Sequence, residues 1–307
     1  MCFTKAMIRV GTASWTDPTL LEAGWYTPGV KSDAKKRLRY YAERFNTVEV
    51  DSTYYAIPRR RVAELWVERT ADLDFDFNVK AYSALTRHGA EARALPKDLR
   101  ALLPDPEATG KVPQSKLPPE LVEETWVRFF QALEPLRDAG KLGYTLFQFP
   151  PWFKPSEETY AYLKEVATRA QGAGHLPAVE FRHASWYRED VWPEVRKLLE
   201  EWGLVHVVVD APRAKGAPPL VPEVTHPEVA VLRCHGRNAE TWWAKTKIAA
   251  ERFDYWYTEE EIDELVQVAT HELAPKAKRL YVIFNNNYGL EGVTAARMFM
   301  ERAGIRR

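Results

Sequence analysis

The chain has 307 residues, 46% hydrophobic and 28% charged, with 43 Lys and Arg balanced by 43 Asp and Glu. That composition belongs to a folded globular chain and excludes a disordered or collagen-like one. Zero net charge argues against bulk attraction to nucleic acid or to an acidic membrane and leaves only local basic patches.

In chain order, short apolar runs at 8–14, 46–51, 75–80, 144–149, 178–182, 204–210, 229–235 and 280–285 predict eight strands. Amphipathic segments fill most of the gaps. Ser32 is the expected cap of a first helix carrying Leu38, Tyr41, Ala42 and Phe45 on one face, and Pro58 the first turn of a second carrying Val62, Leu65 and Trp66. Further helices are expected at 119–138, 156–170, 188–202, 258–271 and 291–302, whereas 211–228 is Pro-rich with no helical period. Strands alternating with helices mean parallel pairing through crossovers, and eight of them point to a closed (β/α)8 TIM-like barrel, with one crossover (after strand six) lacking a clear helix. The rival open sheet wants a glycine-rich first turn, but Thr16-Asp17-Pro18-Thr19 follows the first strand. The expectation is a single domain over 1–307 with a long loop insertion at about 82–118.

The two cysteines, Cys2 and Cys234, cannot build a disulfide framework and fit a reducing compartment. The start, MCFTKAMIRV, has no apolar signal region, and no stretch reaches the ~18 apolar residues of a membrane span. A cytoplasmic chain with no membrane partner is expected.

Alternation along the strands sorts residues by face. Val48 and Val50 oppose Thr47, Glu49 and Asp51; Phe75, Phe77 and Val79 oppose Asp76, Asn78 and Lys80; Val179 and Phe181 oppose Glu180 and Arg182. In a barrel the apolar face lies under the helices, so the polar face points inward. The same rule is expected to turn His206, Val208 and Asp210, and Arg233 and His235, toward the axis, joined by Gln148, Asn285 and Asn287. Most of these residues sit toward the strand C-termini, where barrel active sites form. Charge so enclosed is either an ion-pair network fixing the barrel or a site; the crowding at one end favours a site.

Tryptophan supports that choice. Of 11 Trp, seven (Trp15, Trp25, Trp152, Trp186, Trp242, Trp243 and Trp256) fall at strand ends or in strand-to-helix loops. A polar floor ringed by aromatics suits a ligand with flat or CH-rich faces, such as a sugar or nucleobase, although small cores beneath loops would use Trp equally. The long loops at 82–118 and 236–257 add walls. Arg237, Asn238 and the Asn285–Asn287 turn are expected to help hold an anion, with Lys245 and Lys247 nearby. Glu180, Asp210 and His235 end three successive strands in the manner of a metal site, but the cations beside them and the lack of paired-His spacing argue for no metal. No cofactor motif occurs.

Several motifs run in series: Gly-Thr-Ala-Ser-Trp at 11–15, Phe-Asn-Thr-Val-Glu-Val-Asp-Ser-Thr-Tyr-Tyr at 45–55, Phe-Asn-Val-Lys-Ala at 77–81, Gln-Phe-Pro-Pro-Trp-Phe at 148–153, Val-Glu-Phe-Arg-His-Ala-Ser-Trp at 179–186, Arg-Cys-His-Gly-Arg-Asn at 233–238, Asp-Tyr-Trp-Tyr at 254–257 and Tyr-Val-Ile-Phe-Asn-Asn-Asn at 281–287. Over nearly its full length the chain resembles the YecE-like family, domain of unknown function 72. The resemblance implies a TIM barrel and brings no activity with it.

The expected function is an enzyme, hydrolase or isomerase, with its site at the C-terminal mouth, acting on a small sugar-like, nucleoside-like or phosphorylated ligand. Glu49 and Glu180 are the acid/base candidates. Lys80, Arg182 and Arg237 would hold an anion or developing charge, with His235 beside them. Asp51, Gln148, Asp210, Arg233, Asn238, Asn285 and Asn287 would orient the ligand, and Trp15, Tyr54 and Trp186 would line the pocket. The alternatives are a nucleic-acid-binding or processing barrel, which the zero net charge disfavours, and a non-catalytic metabolite-binding protein. Oligomeric state is not encoded in any motif.

Overall fold

The computed structural model describes residues 6–244 and 253–307; Cys2, Lys245 and Lys247 lie outside the described residues. Eight strands form one sheet: β1 (Met7–Thr12), β2 (Thr47–Val50), β3 (Asp76–Lys80), β4 (Leu142–Gln148), β5 (Pro177–Glu180), β6 (Val205–Asp210), β7 (Val229–Cys234) and β8 (Arg279–Phe284). Their spatial order is β1-β8-β7-β6-β5-β4-β3-β2, with every neighbouring pair parallel. The two ends meet where Ala13 bridges Glu49 and the Ser14 N–H donates to the Glu49 carbonyl at 2.7 Å, which closes the barrel. The seam needs Gly11, since a Cβ there would lie 2.1 Å from the Thr47 carbonyl oxygen.

The crossover helices are α1 (Ala34–Ala42), α2 (Arg60–Arg69), α3 (Pro119–Asp138), α4 (Glu157–Gly172), α5 (Trp192–Trp202) and α6 (Glu259–Gln267), and α7 (Glu291–Arg302) follows the last strand. Asp33 rather than Ser32 caps α1, its carboxylate accepting from the Lys35 and Lys36 N–H groups at 2.8 and 3.0 Å. Helix α2 starts two residues beyond Pro58, and α6 runs on into a wider turn, Val268–Leu273, with i→i+5 bonding. Reciprocal capping boxes, Ser156 with Thr159 and Thr258 with Glu261, start α4 and α6. No helix joins β6 to β7: Pro212, Pro218, Pro219, Pro222 and Pro227 interrupt that segment, as its sequence suggests. Among the described residues no helix is long and apolar enough to cross a membrane.

Two apolar layers result. Outside the sheet, Val48, Phe77, Val79, Val179, Phe181, Leu232 and Val282 pack under helix residues such as Leu38, Trp66, Leu133, Leu163, Leu199, Leu265 and Phe299. Inside, Tyr144, Leu146, Val205, Val207, Val209, Val231, Tyr281 and Ile283 fill the barrel. The inward position of Val205, Val207 and Val209 reverses the expectation for β6. His206, Val208 and Asp210 face the helices instead. Both faces of β6 carry valine, so alternation cannot set its phase; the neighbours do. His206 sits against Trp192 of α5, with its Nδ1 3.0 Å from the Glu223 carbonyl and its Nε2 3.1 Å from the Tyr187 hydroxyl.

The N-terminal end of the barrel is sealed by charge. Arg9 Nε lies 3.1 Å from Asp76 and its guanidinium also meets Asp74 at 2.5 Å and donates to the Asn46 carbonyl at 2.9 Å. Tyr281 donates to Asp76 at 2.9 Å and accepts from Arg279 at 3.0 Å.

Candidate active site

Toward the C-terminal end, two layers of polar side chains succeed the apolar interior. The lower one is wholly buried. Arg233, on β7, donates to Glu49 of β2 at 2.6 Å and to Glu180 of β5. Tyr144 of β4 donates to the other Glu49 oxygen at 2.9 Å, and Arg182 Nε meets Glu180 at 2.6 Å. Four strands are thus tied across the barrel axis. Burial raises the Glu180 carboxyl, but Arg182 and Arg233 outweigh it and hold Glu180 well below the ordinary carboxylate range. His235 Nε2 lies 3.1 Å from Glu180, and Asn285 donates its amide to His235 Nδ1 at 2.8 Å, which sets the tautomer with the proton on Nε2. Burial and Arg182 push the His235 pKa down to about 3, so the ring is neutral.

The upper layer lines an open cavity of about 520 Å³, within the size range of small-molecule sites. Its floor is Asp51, Lys80, Gln148 and Arg182; its walls are Asp17, Tyr54, His88, Lys111, Trp152, Trp242, Trp243, Phe253, Asn285 and Asn287. Arg182 is held by Gln148 at 2.9 Å as well as by Glu180, and its guanidinium lies over Trp242, 5.2 Å from the ring centre. Lys80 differs from Arg182. Its Nζ lies 4.5 Å from the Tyr54 ring centre and makes no hydrogen bond or ion pair with any described residue. Burial, then Arg233 and Arg182, lower its pKa to about 8 against the opposing pull of Glu49 and Asp51. Asp51 faces the same cavity, and burial raises its carboxyl despite Lys80. An ammonium that releases its proton easily and a carboxyl that keeps one more readily than usual therefore share one space, an arrangement suited to moving protons.

The family described as protein of unknown function DUF72 matches residues 9–307. The chain belongs to the DUF72 family. It is similar to UPF0759 protein YunF of Bacillus subtilis, 29% identical over 97% of this chain and 95% of that one. A shorter match, 37% identical over 28% of each chain, is to UPF0759 protein YecE of Escherichia coli. Among solved structures, a DUF72 family protein from Enterococcus faecalis superposes with a TM-score of 0.76 at 27% identity, covering 98% of this chain and 97% of that one.

Several site residues expected from the sequence of this DUF72 chain sit elsewhere. Asp210 faces outward, 3.0 Å from Arg237 and 2.6 Å from the Tyr257 hydroxyl. It therefore does not meet Glu180 and His235, and among the described residues no set of three or more such side chains is arranged to hold a metal. Arg237 is taken up by Asp210, Glu261 and Glu264, away from the mouth, because the outward Asp210 draws it toward α6. Asn238 shapes its own turn, accepting from Glu240 N–H and donating to the Asp254 carbonyl. Trp186 is wholly buried, stacked on Phe181 and Phe153 with its indole N–H on the Phe153 carbonyl; Trp15 packs edge-on to Trp66 and Phe77. Both fold back into the outer core. Glu49, Glu180, Arg233 and His235 lie beneath the cavity rather than on it.

Other residues enter the DUF72 cavity without having been marked as site residues. Trp152, Trp242 and Trp243 carry the aromatic character expected of the loop tryptophans. His88 and Lys111 arrive from the 82–118 loop, where Ala90–Glu91 pairs with Lys111–Val112 in a two-stranded antiparallel ribbon. The unusual length of that loop was the only sequence signal for them. His88 packs edge-on to Tyr54 and Trp152, and burial, then Lys80 and Lys111, lower its pKa to about 3.

Proposed function

We propose that this DUF72 chain is an enzyme whose site is the C-terminal cavity and whose substrate is a small polar molecule bearing an anionic group, sugar-like, nucleoside-like or phosphorylated. The observation that carries the reading is Lys80: a cation with no described hydrogen-bond or ion-pair partner, facing a cavity that also holds Arg182 and Lys111. A half-buried ammonium with no ion-pair partner among the described residues gains most when a ligand supplies the counter-charge. Asp51 and Lys80 take the acid/base role first expected of Glu49 and Glu180, whose carboxylates are committed to Arg233. Those two carboxylates position Arg233, and Glu180 with Gln148 holds Arg182 for the anion. Trp152, 65% exposed, and Trp243, 46% exposed, supply apolar faces at the rim, which suits the CH-rich face of a sugar or the plane of a base.

The test is calorimetric titration with a panel of sugar phosphates, nucleoside monophosphates and inorganic phosphate. At least one should bind, and Trp152→Ala should weaken an organic ligand at least tenfold while changing inorganic phosphate little. The reading fails if no panel member binds. It is replaced by the nucleic-acid alternative if only an oligonucleotide binds, with affinity falling steeply as salt rises.

A further inference from the structure

Lys80 does more in this geometry than balance a charge. Its amine ends a barrel strand at the floor of the cavity, held near the Tyr54 ring and out of ion-pair contact with Asp51. Arg182 and Arg233 lie close enough to disfavour a further positive charge at Nζ. A lysine made nucleophilic by burial and neighbouring cations is the usual requirement for covalent attack on a carbonyl carbon. We propose that Lys80 forms a Schiff base with an aldehyde or ketone substrate that also carries a carboxylate or phosphate, with Asp51 as the proton carrier and Arg182 as the anion anchor. This deepens the reading above and rests on the same cavity.

The step balances without an oxidant or a further reactant. The Lys80 ammonium gives a proton to the Asp51 carboxylate, neutral Nζ attacks the carbonyl carbon, a C–N bond forms, and the π pair moves to oxygen, which takes that proton from Asp51. The new ammonium returns a proton to Asp51. Asp51 then protonates the hydroxyl, the C–O bond breaks, and water leaves. Overall, ammonium plus carbonyl compound gives protonated imine plus water, with one positive charge on each side. The resulting iminium withdraws electrons from the adjacent carbon, and the Asp51 carboxylate left behind is a base for a proton there. The lowered pKa of about 8 supports the first step. At pH 7.5 the neutral amine fraction exceeds that of an ordinary lysine by roughly two orders of magnitude.

The test uses the full chain with sodium cyanoborohydride and three probes, pyruvate, glyceraldehyde 3-phosphate and glycolaldehyde, followed by peptide mass mapping. At pH 7.5, Lys80 should be alkylated at least tenfold faster than the exposed Lys35 and Lys36. The anionic probes should outpace glycolaldehyde, and inorganic phosphate should protect. Lys80→Arg, which keeps a cation, should lose the fast adduct while melting normally. Labelling spread evenly over surface lysines would overturn the proposal, as would fast labelling that survives Lys80→Arg. If the calorimetric panel binds but no imine is trapped at Lys80, the Schiff base falls and the anion-binding reading stands. If glycolaldehyde traps at Lys80 as fast as the anionic probes, the anionic reading falls and the imine stands.

Discussion

At the N-terminal end of the barrel, Arg9 meets two carboxylates and a carbonyl, and Asp76 meets Arg9 and a tyrosine hydroxyl. At the C-terminal end, one layer deeper than the cavity, Arg233 is similarly matched by Glu49 and Glu180. A few ångströms higher the pattern stops: among the described residues no carboxylate pairs with Lys80 and no cation pairs with Asp51. Matched charges below and unmatched charges above, within one barrel, separate what holds the fold from what is left available to an outside molecule.

Arg233→Met tests that division most severely. It leaves Glu49 buried with only the Tyr144 hydroxyl and Glu180 with Arg182 as its remaining cation, and the expected loss is about 3–5 kcal/mol in chemical denaturation. A loss under about 1 kcal/mol would mean that the lower layer does not hold the fold, and the contrast would collapse. Acid is the next probe. His206 titrates at about 4 and His235 at about 3 in the folded chain, both below the ordinary 6.5, because burial disfavours the charged ring. The unfolded chain therefore takes up protons first as pH drops. Stability present above about pH 6.5 should fall toward pH 4, at about 1.4 kcal/mol per pH unit for each such ring. His206→Gln should flatten the slope of unfolding free energy against pH by about that amount; an unchanged slope would show that this ring is not held neutral. The smallest effect belongs to Lys80→Met. Removing a half-buried cation that has no ion-pair partner among the described residues, only the Tyr54 ring beside it, should change stability by no more than about 1 kcal/mol. A large loss of melting temperature would place Lys80 among the structural charges and erase the distinction.

The barrel was legible because its strands alternate cleanly wherever one face is polar. Glu49, Lys80, Glu180 and Arg233 could be assigned to the interior from neighbours two residues away. Alternation sets no phase at β6, where Val205, Val207 and Val208 make both faces apolar, and Asp210 points outward with Val208 rather than toward the axis. Arg237 followed, since its direction depends on where Asp210 points. Trp15 and Trp186 sit at strand ends, yet an indole can turn back over the sheet edge as easily as toward the axis, and only packing decides. Sequence also could not rank the inward carboxylates. Whether Glu49 or Asp51 meets solvent depends on Arg233 reaching across from β7, a contact 184 residues away.

The ribbon that delivers His88 and Lys111 leaves the barrel after β3 and returns before α3, and its own strands pair only with each other. Lys80, Asp51 and Arg182, by contrast, end barrel strands or follow them directly. On the proposed function, reactivity and selectivity would therefore sit on separable stretches of chain. Exchange of the 82–118 segment would then change which ligand is accepted and leave the groups beneath in place. A scaffold divided this way can diversify among relatives by loop replacement, and offers a single short cassette for redesign.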